Sequence, residues 1–192
     1  MQPSWPSEYV ALALLCERPM HGYELYQRVR SDQALRAIWR IERSQLYFLL
    51  RKLEREGYIA ELAEEQAAGP PRLIYAPTPA GRAALEAWLR RPEAQPHDLR
   101  AAFLAKLYLA LRSTPDIAPA LVEEQRRVLN EWAGRQRRRA AGNDFVALVH
   151  RLRLSQIEAA LAWLDELWAL IHAGQLTDSV SHPAPSEPAV RS

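Results

Sequence analysis

The chain lacks most of the residues and patterns that several common functions need. A single cysteine, Cys16, among 192 residues excludes an intramolecular disulfide and agrees with a reducing compartment. Its place at the end of an apolar run favours plain burial over redox sensing. The five histidines, His21, His97, His150, His172 and His182, include no pair at metal-ligand spacing with a carboxylate, so no metal or other cofactor is expected. There is no glycine-rich phosphate loop and no nucleophile elbow, and the chain reads as no enzyme. The apolar stretch at 9–16 is too short to span a bilayer and reads as a core helix, so no membrane partner is expected. Residues 1–6 lack a basic segment followed by an apolar one; no secretory signal is read, and the expected location is cytoplasmic. Net charge is only +2, and lysine occurs only as Lys52 and Lys106.

What the chain does have is charge of one sign in one place. Between Arg28 and Arg55 stand eight basic residues, Arg28, Arg30, Arg36, Arg40, Arg43, Arg51, Lys52 and Arg55, against three acids, Asp32, Glu42 and Glu54, a local +5. That is a footprint for a polyanion, although an arginine-rich solvated surface would look alike by charge alone. Pattern decides between the two. Within 44–56, Leu46, Leu49, Leu50 and Leu53 form the i, i+3, i+4, i+7 stripe of a helix packed on a core. Ser44, Phe48, Arg51 and Arg55 point the other way, flanked by Tyr47 and Lys52, and together offer cations for phosphate, hydroxyls for hydrogen bonds and rings for thymine methyls.

The neighbouring segments complete a recognisable order. Ser7 is placed to cap a first helix over 9–16, Pro19 stops it, and 21–29 makes a second helix with Leu25, Tyr26 and Val29 inward. Residues 31–43 connect to the third helix. Gly57 ends that helix, 58–62 and 72–77 read as two strands around a polar glycine-proline tip at 64–71, and Thr78-Pro79 starts a helix burying Leu85, Trp88 and Leu89. Helix followed by hairpin is the order of a winged helix. The expected fold is therefore mainly α with a small β-hairpin wing, a winged helix-turn-helix followed by an all-helical domain.

Over 9–89 the chain resembles the PadR family of bacterial transcriptional regulators. Four blocks in order carry the resemblance: Met20-His21-Gly22-Tyr23-Glu24-Leu25, Ser44-Gln45-Leu46-Tyr47, Leu50-Arg51-Lys52-Leu53-Glu54-Arg55-Glu56-Gly57, and Tyr75-Ala76-Pro77-Thr78-Pro79-Ala80-Gly81. The resemblance implies a dimeric, ligand-responsive repressor that binds a double-stranded, palindromic DNA operator, with the third helix in the major groove and the wing at the backbone or minor groove. It aligns Tyr47 with the family's recognition-helix tyrosine and Arg72 with the basic residue after the wing tip, and it suggests a small aromatic effector. Arg43 and Ser44 are expected to hold phosphate. Gln45, Tyr47, Phe48 and Arg51 are expected to reach bases, with Lys52 and Arg72 completing the DNA-facing set. Phe48 departs from the family, where proline or a polar residue often follows the tyrosine, and Glu61, Glu64 and Glu65 predict a weak wing contact. A winged helix that binds protein instead of DNA would show an acidic or apolar outer face, against Arg51, Lys52 and Arg55.

The second half differs. After the linker at 92–97, helices are expected over 99–112, 117–140 and 143–172, and the last carries a stripe long enough to need a partner. Leu148, Leu152, Leu161, Leu164 and Trp168 are the expected dimerisation residues. The chain then divides into a winged-helix DNA-binding domain (1–91), the linker, a helical dimerisation and effector domain (98–173) and a disordered tail (174–192). Six tryptophans invite an aromatic ligand, but Trp88, Trp132 and Trp168 fall on apolar stripes and are expected in the core; Trp39, among arginines, either packs the connector or lies near phosphate. The run Arg135 to Arg139 suits a helix carboxyl end better than a binding site.

Overall fold

The computed structural model describes residues 6–38, 40–65 and 72–176, so the expectations for Trp39, the wing tip and most of the tail lie outside the described residues. The first helix, α1, is Pro6–Glu17, buried continuously from Glu8 to Leu15. A helix apolar nearly all round is a central one, and α1 packs on the helices and strand that follow it. Proline suits the first helical position because its missing N–H would be unpaired there anyway. Ser7, expected as the cap, therefore lies inside the first turn instead.

Strand β1 is Met20–His21 and helix α2 is Gly22–Ser31, capped by His21, whose Nδ1 accepts the Glu24 N–H at 3.0 Å. The connector contains a short helix, α3, Gln33–Ile38, whose Leu35 N–H is held by Asp32 Oδ1 at 2.9 Å. The recognition helix is thus the fourth, α4, Arg43–Arg55. Gly57, at φ +77°, turns the chain into β2, Ile59–Glu65, and β3, Arg72–Pro77, returns beside it. The sheet has three strands in the order β1-β3-β2, all antiparallel, with a bulge between Glu61 and Ala63. A two-residue strand has no readable alternation, and β1 was not expected. Helix α5, Pro79–Arg90, is capped by Thr78, which accepts from Gly81 N–H at 3.1 Å and donates to the Gly57 carbonyl at 2.7 Å. Gly81 lies so close to the hairpin that a Cβ there would stand 2.1 Å from the Tyr58 carbonyl oxygen.

The helix expected over 99–112 is in fact two pieces. A 3₁₀ turn, Pro96–Arg100, ends at Ala101 (φ −126°, ψ −58°), and α6, Ala102–Ser113, begins anew. Helices α7, Ile117–Arg139, and α8, Phe145–His172, form an antiparallel hairpin with Arg126–Asp165 and Arg137–Glu158 ion pairs at 2.7 Å across it. Asp144 caps α8 by accepting the Ala147 N–H at 2.7 Å.

Two hydrophobic clusters result, and α6 serves both. Ala105, Tyr108 and Leu109 face the winged helix, while Phe103, Leu107 and Ala110 face the α7–α8 hairpin. Trp88 enters the first cluster stacked on Tyr9 at 4.4 Å, as its stripe predicts. Trp132 and Trp168 are only partly covered. The two lysines share one role. Lys52 Nζ lies 2.6 Å from the fully buried Glu8, and Lys106, itself fully buried, pairs with Glu93 and donates to the Arg91 carbonyl at 2.6 Å. A compact ammonium fits a closed pocket that a planar guanidinium fork would not. Burial lowers the Lys106 pKa, and Glu93 acts against that fall.

Polar contacts also bind α6 to the helix-turn-helix. Arg112, nearly buried, pairs with Glu17 at 3.0 Å and Asp32 at 3.5 Å, and the Tyr108 hydroxyl donates to Asp32. Burial first, and the Asp32 carboxylate second, hold that hydroxyl well above the ordinary phenol range. Arg28 of α2 joins the same Glu17.

Candidate nucleic-acid interface

Helix α4 is locked inward by Leu46, Leu49, Leu50 and Leu53, the four residues of its predicted stripe. Its outward side carries Arg43, Ser44, Gln45, Phe48, Arg51 and Arg55, all exposed. Phe48 is 59% exposed, an unusual state for phenylalanine in a monomer. The helix begins one residue earlier than expected because Glu42 caps it: the Glu42 carboxylate and the Gln45 amide clasp each other's backbone, with Gln45 Oε1 accepting the Glu42 N–H at 3.0 Å. Gln45, expected to read bases, therefore has its carbonyl engaged at the helix start.

Tyr47 is half-buried and its ring is seated against α2. A Cβ on Gly22 would lie 3.0 Å from Tyr47 Cε1 and 3.1 Å from Leu50 Cδ1. Glycine is what lets α2 approach this closely, which gives the Met-His-Gly-Tyr block a packing reason. The guanidinium of Arg43 lies 5.5 Å from the Tyr23 ring centre and 5.6 Å from that of Tyr47. Cation–π contact with two rings holds the arginine at the surface with its donors outward. Tyr23, 44% exposed and accepting from Gln27 Nε2 at 2.8 Å, was missed in the sequence. Its only sequence signal is its place directly after His21-Gly22.

Lys52 is the clearest correction. Expected to face DNA, it instead turns to Glu8, and only 15% of its side chain is exposed. The Leu49 and Lys52 side of α4 faces α1, so a residue at the edge of the outer face is drawn into the core when a buried carboxylate waits there. Glu54, nearer the carboxyl end, lies beside Glu61 of the wing. Burial first, and then Glu61, push its carboxyl above the usual carboxylate range. The exposed cations of α4 are thus Arg43 at its start and Arg51 and Arg55 in its last turns. Arg72 opens β3 opposite Glu65, and its side chain lies outside the described residues. Among the described residues no group of histidine, cysteine and carboxylate side chains is built to hold a metal ion, and burial raises the Cys16 thiol pKa.

Residues 11–87 match the model of the transcriptional regulator PadR-like family. By that match, residues 11–87 form a PadR-like domain. A probable transcriptional regulator of Mycobacterium tuberculosis is 26% identical over 186 residues, covering 83% of this chain and 94% of the relative. PadR of Bacillus subtilis, a negative transcriptional regulator, is 23% identical, with 85% of this chain and 96% of the relative covered. The crystal structure of Bacillus subtilis PadR in complex with operator DNA is similar with a TM-score of 0.45 at 25% identity, over 88% of this chain and 99% of that one.

Beyond this PadR-like domain, the five residues expected to form a dimer face do not lie together. Leu148 and Leu152 are exposed, at 53% and 61%, beside Phe145 and Val146. Leu161 and Trp168 are partly covered against the second cluster. Leu164 is fully buried within it, so it packs the chain's own core. No helix among the described residues is long and apolar enough to cross a membrane.

Proposed function

We propose that this chain is a homodimeric, ligand-responsive repressor that reads a palindromic operator through α4. The observation that carries the reading is the outer face of α4, where Arg43, Ser44, Phe48 and Arg51 are held outward by a helix whose opposite side is fully fixed in a core. The PadR-like domain over residues 11–87 and the negative regulator among the chain's relatives support the same reading. In it, Arg43 and Ser44 hold phosphate, Tyr47, Phe48 and Arg51 meet base edges, Gln45 serves through its free amide N–H groups, and Arg72 reaches the backbone from the wing. Lys52 leaves the set.

The dimer would form along the exposed amino-terminal face of α8, Phe145, Leu148 and Leu152, with the winged helix at 1–91 and the helical region at 98–173 acting as the two working units. Two copies of α4 about 34 Å apart would then meet successive major grooves. A small aromatic effector would act by changing that spacing, and coupling of about 1 to 3 kcal/mol suffices for a 5- to 150-fold change in affinity. Such a regulator works in the cytoplasm, where the chromosome is.

Fluorescence anisotropy on the chain's own upstream intergenic DNA, titrated against random competitor at two salt concentrations, tests this. Tight binding that survives competitor, weakens with salt and shows two chains per site is the expected result. Equal affinity for random DNA would remove sequence-specific regulation as the function of this upstream site.

A further inference from the structure

Helix α4 begins with a feature that phosphate binding does not explain: an exposed carboxylate, Glu42, at the start of a helix whose neighbouring residues are cationic and aromatic. A helix amino terminus attracts phosphate, because its first N–H groups have no partners within the helix. Glu42 occupies that place. Its side chain accepts the Gln45 backbone N–H and makes no ion pair among the described residues. Arg43 beside it is turned to the Tyr23 and Tyr47 rings instead. A phosphate at this point would meet a negative charge, whereas a base edge that donates would meet an acceptor.

The other half of the clasp is fixed in the complementary sense. Gln45 Oε1 accepts the Glu42 N–H at 3.0 Å. Only the oxygen of an amide can meet a backbone N–H, so the clasp itself settles which way the Gln45 head group points. Nε2 is the end left over: it makes no hydrogen bond among the described residues, and Gln45 is exposed. A glutamine with both ends free reads adenine, accepting from N6–H and donating to N7. Gln45 has its acceptor engaged at the helix start and presents two N–H donors outside.

We propose that Glu42 and Gln45 together read one guanine–cytosine pair in each half-site, Gln45 donating to guanine O6 and N7 and Glu42 accepting from cytosine N4–H. Guanine offers two acceptors side by side in the major groove, while adenine offers one acceptor beside a donor. The clasp holds the two head groups within one helical turn, so both approach the same pair. Glu42 is thereby a specificity-determining residue, and the contact that starts the helix also sets the base it favours. The inference rests on the operator reading above and adds a base pair to it.

Selection of the full chain on a randomised duplex library, followed by anisotropy on the enriched duplex and its single-pair variants, tests this with the parent, Q45E and E42Q. Glutamate is a usual partner in such a clasp, so Q45E keeps the helix start while turning the outward donor into an acceptor. At one position of the half-site the parent is expected to favour guanine over each other base by about tenfold or more. Q45E should lose that preference and turn to cytosine. E42Q should weaken it severalfold at the same pair while binding random DNA no worse, since a negative charge has gone. Replacing that guanine by 7-deazaguanine, which lacks N7, should weaken the parent and leave Q45E unchanged. If Q45E does not fold, E42Q and the 7-deazaguanine duplex still decide. A uniform loss on all sequences would make Gln45 a phosphate contact, unchanged preferences in both variants would leave the clasp a helix cap only, and adenine at the position that Q45E alters would mean that Oε1 reads bases. Each of these overturns the proposal and leaves the regulator reading standing; no enriched sequence with the parent overturns both.

Discussion

Helices α4 and α8 are both built on long leucine stripes, yet the fold uses them differently. In α4 all four stripe leucines are buried and the remaining face is cationic and aromatic. In α8 the apolar residues occupy two faces: Ala147, Ile157, Leu164 and Leu167 pack on α7, whereas Phe145, Val146, Leu148 and Leu152 face outward. A short helix with one apolar stripe has one way to pack, so its outer face is legible. A helix of 28 residues, about 42 Å, has room for two partners, and periodicity cannot say which leucine meets which.

The comparison breaks most sharply at Lys52, the α4 residue that behaves like core. Lys52→Ala should cost about 3 to 5 kcal/mol in urea unfolding, because Glu8 would be left as a buried carboxylate without its cation. A loss confined to DNA affinity, with stability intact, would return Lys52 to the operator face. On α8, Leu164→Ala should cost about 2 to 5 kcal/mol of stability through an unfilled cavity. Leu152→Ala, at an exposed position, should change the stability of the single chain by less than about 0.5 kcal/mol and instead shift sedimentation toward the monomer. Similar unfolding midpoints for the two variants would mean that α8 has one apolar face after all.

Smaller effects sharpen the α4 side. Arg51→Ala should weaken operator binding by about 1 to 3 kcal/mol and relax preference at one position of each half-site in competition anisotropy. Equal loss on random DNA would make Arg51 a phosphate contact. The least effect is expected from Glu54→Gln. The Glu54 carboxyl has a raised folded-state pKa, so its contribution to stability is present below the ordinary carboxylate pKa and is lost as pH rises through the raised value. The variant should therefore be slightly more stable than the parent at pH 7, and the gain should vanish near pH 4. A gain unchanged by pH would show that the glutamine acts through packing.

Most of the winged helix was legible because its signals are local. Caps, stripes and the glycine at 57 act within a few residues, and they foretold α2, α4, the hairpin and α5. The elements missed were those with too few residues to show a period, β1 and α3, together with the break at Ala101, where alanine itself carries no helix-breaking signal. In the candidate interface, Ser44, Phe48, Arg51 and Arg55 lie on the outer face where the stripe put them, and Arg43, expected just before the helix, opens it. Tyr23 was not foreseen, since its meeting with Arg43 joins residues twenty positions apart through the approach of α2 at Gly22.

By itself the sequence determined which helix would carry the cationic, aromatic face and that a hairpin would follow it, because hydrophobic period and capping chemistry are properties of neighbouring residues. Only the tertiary structure decided that Lys52 serves Glu8 and that Leu164 is core while Leu148 and Leu152 are surface. Those outcomes depend on distances between segments up to tens of residues apart, and a charge or a leucine takes its role from what the fold places beside it.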